Sequence, residues 1–228
     1  MKNTMLLYGH LADKELVDKV KGGQAKCFEV LVRRHTKALY RIARTHGLSH
    51  TEAEEVMLTT HLEAFSPSRK FIGNVSYRTW LMKLMINNCL KFPKTIAIHI
   101  PQAADEPACS AVRSAHHYDS SRLPLITATA GKFEACLEQL PLTLRSVYIL
   151  CEVEGYSIPE GAHLLSTTEE TIKTHLDQAK SSLRKTLRTW YQYTDIYPYD
   201  THSGERIVHQ VMNRIDAKSD IPVGVPAF

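Results

Sequence analysis

The sequence lacks the features of a membrane, secreted or disulfide-linked protein. No apolar run approaches the roughly 20 residues that a membrane-spanning helix needs, and the apolar start is interrupted too early for a signal peptide. The five cysteines form no CxxC pair and no regular framework, which is typical of reduced thiols packed as small apolar side chains. We therefore expect a cytoplasmic protein with no membrane insertion.

Catalytic and metal-binding motifs are also missing. There is no glycine-rich phosphate loop, no HExxH and no GxSxG. The twelve histidines include His116 and His117, which lie near Cys109 and could suggest a metal site. Their spacing fits no common zinc pattern, and the other interpretation is that they are solvated side chains of a loop. Glu54 and Glu55 have no evident partner for acid–base catalysis. We expect no enzyme activity, no metal and no cofactor.

Helix signals, in contrast, run through most of the chain. Asp13, Ser49 and Ser76 can each cap a helix, and strand patterns are absent from the first block of about 90 residues. A proline-rich stretch with little periodicity then separates this block from a second helical one. The pattern predicts an all-α protein with two helical domains joined by a flexible linker. The predicted boundaries are 11–92 for the first domain, 93–130 for the linker, 131–189 for the second domain and 190–228 for a C-terminal extension.

Two short amphipathic segments joined at "LSTTE" predict a helix-turn-helix in the second domain. Ser157 with Glu160 has the pattern of a capping box, and Pro159 fits the first turn of a helix. The second segment is apolar on one face and cationic on the other, so it is either a DNA contact or a solvated surface helix. The apolar residues of the second segment are Ile172, Leu176, Ala179, Leu183 and Leu187.

The order of these motifs resembles the bacterial RNA polymerase sigma factors of the extracytoplasmic-function (ECF) class. The stretch "EAEEVMLTTHLEAF" resembles the acidic helix of the family that docks on the polymerase clamp helices, and "FIGNVSYRTWLMKLMINN" resembles its promoter-melting segment. The stretches "LEQLPLTLRSVYIL" and "GYSIPEGAHLLSTTEETIKTHLDQAKSSL" resemble the entry to the final domain and its helix-turn-helix. The resemblance covers about residues 11–92 and 131–188.

The resemblance implies a transcription initiation factor with three binding surfaces. Such a protein binds core RNA polymerase, melts the minus-ten region of promoter DNA and contacts the minus-thirty-five region, and an anti-sigma protein is an expected partner. The implied polymerase-binding residues are Glu52, Glu54, Glu55 and Leu62. The implied promoter-melting contacts are Lys70, Asn74, Tyr77, Arg78, Trp80 and Asn87. The implied helix-turn-helix contacts to DNA are Thr171, Lys173, Thr174, His175 and Lys180.

Several positions depart from the family pattern or allow a second interpretation. Leu58 and His61 stand where the family more often has glutamine and an aromatic residue, and Glu170 opens the recognition helix. Trp80 can stack on unpaired bases, or it can be a core residue beside Leu81. Two other functions therefore remain open, a sigma-like adaptor that acts only through protein contacts and a standalone helix-turn-helix regulator.

The C-terminal extension contains one further amphipathic segment, "GERIVHQVMNRI". It predicts a helix that either docks on the two domains or a regulator, or only completes the packing of the core. Its apolar face is formed by Ile207, Val208, Val211 and Ile215.

Overall fold

The computed structural model describes residues 2–66, 71–93, 133–186 and 196–219, and the regular elements in these ranges are all helical. This confirms the predicted all-α class. A 3₁₀ turn at Ala25–Cys27 and a π-helical turn at Ile149–Val153 interrupt the α-helices. The predicted linker 93–130 lies outside the described residues except for its first residue. The α-helices are α1 (Lys2–Tyr8), α2 (Asp13–Lys21), α3 (Phe28–Thr45), α4 (His50–Phe65), α5 (Tyr77–Lys91), α6 (133–138), α7 (Leu142–Tyr148), α8 (Ile158–Leu165), α9 (Glu169–Thr186) and α10 (Thr201–Ser219).

Helices α1 to α5 form the first helical block, with α3 at its centre. The apolar face of α3 is buried against α4 and α5. Ser49 caps α4 as predicted, because its Oγ accepts from the Glu52 N–H while the Ser49 N–H donates to Glu52 Oε2 at 2.8 Å. Ser76 caps α5 by accepting from the Thr79 N–H at 3.0 Å. These local bonds satisfy backbone donors that a helix start leaves unpaired.

The predicted cap at Asp13 was wrong by one residue. The N-cap position of α2 is Ala12, whose N–H donates to Glu15 Oε2 at 2.8 Å. Asp13 instead lies in the first turn and binds Arg34 and His35 of α3, both at 2.7 Å. Burial raises the pKa of Asp13, but the hydrogen bonds from His35 and Arg34 outweigh it and hold this pKa below its usual value. The side chain therefore joins α2 to α3. The short helix α1 was not predicted.

Helices α6 to α9 form the second block, which contacts the first directly. Helix α9 packs on α7 and α8, α8 also touches α5, and α7 touches α3. The core of the second block includes Phe133, Leu137 and Leu150, each at most 2% exposed. The cysteines that the structure describes form no disulfide with one another, and two of them are buried and two half-buried.

The last helix returns to the first block. Helix α10 packs against α3 and α4, and the predicted apolar residues Ile207, Val208, Val211 and Ile215 are all at most 1% exposed. The amphipathic helix predicted in the C-terminal extension is therefore confirmed, and it begins at Thr201. Within the described ranges, no helix combines the length and the apolar character needed to cross a bilayer.

Candidate functional site

The four residues implied in polymerase binding lie along α4 in three different environments. Glu52 is engaged in the helix cap, and its bonds to the Ser49 backbone lower its pKa. Glu54 is largely covered, with 15% of its side chain exposed. Glu55 is exposed and has no hydrogen bond or ion pair with the described part of the chain, whereas Leu62 is half-buried against the core. The outward charge of this helix is thus concentrated at Glu55.

The partners of Glu54 come mostly from the C-terminal extension. Its Oε1 accepts from the Tyr199 hydroxyl at 3.0 Å and from Arg206 at 2.5 Å. His50 Nε2 lies 3.3 Å from the same oxygen. Glu54 thus has structural partners, whereas the expectation from the sequence concerned only a partner for acid–base catalysis and stays a prediction.

Three aromatic rings cluster where the loop before α5 meets the helix. The ring centroids of Phe71, Tyr77 and Trp80 are each 5.6 Å from one another. Trp80 is half-buried and packs against the core, whereas Tyr77 is only 4% exposed, and burial raises the pKa of its hydroxyl. Trp80 thus has one side against the core and one side exposed, so its position fits both a core residue and a residue that stacks on unpaired bases. Phe71 is a member of this cluster that was not singled out from the sequence.

The other residues implied in promoter melting are spread around this cluster. Asn74 and Asn87 are exposed, the first in the loop and the second on α5, while Lys70 lies outside the described residues. Gly73 has a φ of +86°, which glycine adopts without the strain that a β-carbon brings. The loop also exposes 81% of the side chain of Ile72.

A cavity of about 670 Å³ opens beside the aromatic cluster, a size typical of ligand pockets. Lys21 borders it and donates to the Phe71 carbonyl at 3.0 Å. The other lining residues are Val17, Val20, Phe28, Leu31, Ala64, Phe65, Ser66, Phe71, Ile72 and Tyr77. The walls are therefore mainly apolar, with one cation at the edge.

Arg78 does not face solvent freely, because it connects the two blocks. Its guanidinium donates to the Glu154 carboxylate at 3.0 Å and to the Glu154 carbonyl at 2.6 Å, and it lies 4.5 Å from the centre of the Tyr156 ring. Glu154 is 7% exposed and also accepts from Arg41 of α3 at 2.9 Å. Neither Glu154 nor Tyr156 was singled out from the sequence, since their roles depend on contacts distant in the chain.

Lys83 makes a second connection between the blocks. Its ammonium donates to the carbonyls of His163 and Leu164 at 3.0 and 2.6 Å and to Ser166 Oγ at 2.6 Å. These carbonyls end α8, where the helix dipole attracts a cation. Burial lowers the pKa of Lys83. The end of the first helix of the helix-turn-helix is therefore held against α5.

The helix-turn-helix itself has the predicted construction. Ser157 and Glu160 form the capping box of α8, and Ser166 makes the turn with a φ of +54°. Thr168 Oγ1 then caps α9 by accepting from the Thr171 N–H at 3.2 Å. The described residues of the predicted apolar stripe are buried, whereas Leu187 lies outside the described ranges.

The residues implied in DNA contact lie on the opposite face of α9. Lys173 and Thr174 are exposed, and Thr171 and His175 are half-buried. Lys180 is half-buried too and pairs with Glu152 at 2.7 Å. The first turns of α9 therefore present the polar side chains that a recognition helix uses to read base edges.

No metal centre was found in the described ranges, where no group of three or more potential ligand residues converges. His116, His117 and Cys109 lie outside these ranges. Among the described residues, the candidate site therefore consists of charged and aromatic surfaces that can bind a partner.

Comparison with known proteins identifies the helix-turn-helix block. The family model "Sigma-70, region 4" matches residues 130–183. The ECF RNA polymerase sigma factor SigM of Mycobacterium tuberculosis is 25% identical over 176 residues, which cover 77% of this chain and 85% of SigM. The RNA polymerase sigma factor NccH of Alcaligenes xylosoxydans is 24% identical over 78% of this chain and 95% of its own length.

Solved structures share the fold. The structure of CnrH in complex with the cytosolic domain of CnrY aligns with a TM-score of 0.56 at 22% identity, over 78% of this chain and 98% of the CnrH chain. The sigma factor RpoE of Bartonella quintana, solved with the anti-sigma factor NepR, aligns with a TM-score of 0.50 at 20% identity, over 71% of this chain and 95% of its own. The motifs, the helix-turn-helix and these relatives agree in supporting an ECF sigma factor.

Proposed function

We propose that this sigma factor binds core RNA polymerase through α4, melts the minus-ten region with the segment 71–88, and contacts the minus-thirty-five region with α9. The observation that carries the proposal is the helix-turn-helix, whose recognition helix is capped by Thr168 and exposes Lys173 and Thr174 within the residues that match region 4. The protein acts in the cytoplasm, catalyses no reaction itself and needs no cofactor.

The aromatic cluster supports a role in promoter melting. An opened strand is held by stacking unpaired bases on aromatic side chains, and each stacked base contributes about 1–3 kcal/mol. Trp80 is partly exposed and packs against Phe71 and Tyr77, which line the cavity. Asn74 and Asn87 add exposed polar groups on the loop and on α5, and Lys70, which lies outside the described residues, is proposed as a cationic contact. Tyr77 acts mainly by supporting the neighbouring rings, because it is buried.

The contacts between the two blocks must break before both promoter regions can be bound. The two regions lie about 25 base pairs apart, which is about 85 Å along B-form DNA. Two domains in direct contact cannot reach both ends of that distance. Opening releases Arg78 from Glu154, and Lys83 from the end of α8, so these cations become available to the DNA. The structure is thus a closed state of the sigma factor.

An anti-sigma protein is the partner we propose for regulation. The aligned CnrH and RpoE structures each contain a second protein, the cytosolic domain of CnrY and the anti-sigma factor NepR. A similar partner of this chain would act by favouring a state in which the two domains cannot reach the promoter.

Reconstituted transcription tests the proposal. Purified protein and core polymerase from the same organism are incubated with fragmented genomic DNA, and the 5′ ends of the transcripts are mapped. We expect discrete start sites that share upstream sequences. Co-purification with polymerase without any start sites would favour the adaptor, and DNA binding without polymerase binding would favour the standalone regulator.

Replacing Lys173 by alanine is expected to lower initiation at these start sites about tenfold. The side chain is exposed in the first turns of α9, where a base or phosphate contact contributes about 1–3 kcal/mol. Open-complex formation by the reconstituted holoenzyme gives the measurement. Lys14→Ala, which removes an exposed lysine on α2, is the control and should change initiation less than twofold. Equal initiation by both variants would exclude Lys173 as a DNA contact.

Replacing Glu55 by lysine is expected to weaken binding to core polymerase about tenfold or more. The substitution reverses the exposed charge of α4 and breaks no contact in the described part of the chain. Fluorescence titration of labelled protein with core polymerase gives the affinity. Asp18→Lys, at an exposed site on α2 whose side chain has no hydrogen bond or ion pair with the described residues, provides the control. Unchanged affinity would remove α4 from the polymerase interface.

A further inference from the structure

We propose that the C-terminal segment 196–219 is a built-in competitor of core RNA polymerase for the face formed by α3 and α4. In the closed state this segment covers Glu54, and it must leave before polymerase docks. The proposal rests on the proposed polymerase-binding role of α4. It gives the C-terminal extension a regulatory function, separate from the functions proposed for the helix-turn-helix and the promoter-melting segment.

The apolar face of α10 provides the first part of the contact. The helix packs on both α3 and α4, and five of its apolar residues are at most 8% exposed. Amphipathic helices commonly bind grooves through residues spaced in this way. These residues are Ile207, Val208, Val211, Met212 and Ile215.

The polar contacts of the segment are directed at the acidic helix. Tyr199 and Arg206 both donate to Glu54 Oε1, and the Tyr199 ring packs 4.3 Å from the Tyr40 ring, centre to centre. Glu205 of α10 pairs with Arg33 of α3. The segment thus places a cation on the carboxylate proposed for polymerase, as a competing partner would.

The start of the segment also connects the two domains. The Ile196 carbonyl accepts from Arg41 of α3 at 3.0 Å, and the Tyr197 N–H donates to Glu134 of the second domain at 2.8 Å. The Tyr197 ring lies 5.5 Å from the Arg44 guanidinium, measured to its centre. Departure of the segment therefore removes contacts that hold the domains together, so exposure of α4 and opening of the two domains are coupled.

Because the segment 196–219 belongs to the same chain as α3 and α4, even a modest contact with them can compete with polymerase. A segment tethered through a short connection competes at an effective concentration of the order of millimolar. The apparent affinity of polymerase then equals its intrinsic affinity multiplied by the fraction of molecules from which the segment has left. Strengthening or weakening the contact with Glu54 consequently changes the affinity for polymerase.

The alternative is that α10 is a permanent part of the core. Both interpretations predict buried apolar residues on α10, but they differ in what happens when polymerase binds. A competitor is displaced, so amide exchange within 201–219 rises in the presence of saturating core polymerase. A permanent core helix keeps its protection in the complex.

Arg206→Glu tests the contact without altering the buried face of α10. The new carboxylate would face Glu54, so the closed state loses one ion pair and gains a repulsion. We expect affinity for core polymerase to rise about three- to tenfold. Arg214→Glu makes the same charge change at an exposed site of α10 that has no hydrogen bond or ion pair with the described residues, and it should leave affinity unchanged. Circular dichroism and thermal unfolding verify that both variants remain folded.

The Glu55→Lys variant separates this proposal from the proposed function. Tighter binding by Arg206→Glu alone, with loss of α10 protection in the wild-type complex, supports the competitor. Unchanged binding by Arg206→Glu and a protected α10, together with weaker binding by Glu55→Lys, overturns the competitor and leaves the role of α4 intact. An equal increase for Arg206→Glu and Arg214→Glu also overturns it. If Glu55→Lys has no effect, the proposed role of α4 fails first.

Discussion

Replacing Glu154 by glutamine is expected to lower the free energy of unfolding by about 3 kcal/mol and to separate the two domains. The carboxylate is 7% exposed and accepts from both Arg41 and Arg78. Removing one member of a buried ion pair costs about 3–5 kcal/mol, because the remaining charge is left without compensation. Arg41 is itself only 9% exposed and also donates to the Ile196 carbonyl, which carries no compensating charge.

Urea unfolding measures the loss of stability, and small-angle X-ray scattering measures the opening. Glu152→Gln is a matched control, because Glu152 lies two residues earlier and pairs with Lys180 while 37% of its side chain is exposed. A surface pair contributes at most about 1 kcal/mol, so the control should change stability little and leave the radius of gyration unchanged. Equal losses in the two variants would show that the Glu154 contacts are not a principal link between the domains.

The position of Glu154 could not be deduced from the sequence. A π-helical turn at Ile149–Val153 precedes it, and the Glu154 N–H donates to the Ile149 carbonyl at 2.9 Å, five residues back. Such a turn inserts an extra residue and changes the direction of every side chain that follows. Its partner Arg41 is 113 residues away in the chain. No local sequence pattern predicts a contact between residues so far apart in the chain.

Local signals, in contrast, predicted the secondary structure well. The caps at Ser49, Ser76 and Ser157 are formed as expected, and so is the buried stripe of α9. Each depends on residues a few positions apart, so a local sequence pattern is enough to predict it. The predicted cap at Asp13 was wrong because its carboxylate binds Arg34 and His35 on α3, which are distant in sequence.

The residues of the candidate site stay predictions, and their arrangement could not be deduced from the sequence. The exposed positions of Glu55, Lys173 and Asn74 agree with their proposed roles. The structure instead places Tyr77 in the interior of the first block, beside His35, and joins Glu54 to Arg206, 152 residues away. These contacts join residues that are distant in the chain, so a local sequence pattern does not reveal them.

Replacing His61 by phenylalanine is expected to remove most of an acid sensitivity of about 2 kcal/mol between pH 7 and pH 5. His61 is fully buried on α4 beside Phe28, and neither ring nitrogen has a hydrogen-bond partner within the described residues. Burial, with a smaller contribution from the charge of His35, lowers the pKa of His61 to about 3. The unfolded chain has the ordinary histidine pKa near 6.5 and takes up a proton first as the pH falls. The stability of the wild type is therefore lost progressively below pH 6.5, at about 1.4 kcal/mol per pH unit, until the pH reaches about 3.

The measurement is the free energy of unfolding by urea at pH 7, 6 and 5, compared between the wild type and the variant. Other titrating groups contribute equally to both proteins, so the difference isolates His61. At pH 7 the variant should already be more stable by about 1 kcal/mol or more, because the unsatisfied polar ring is gone. His61→Leu guards against a packing defect specific to phenylalanine, and His163→Gln, at an exposed site on α8, should keep the wild-type pH dependence. If the wild type and both His61 variants lose stability in parallel toward pH 5, His61 is not buried in its neutral form, and the acid sensitivity of the fold originates elsewhere.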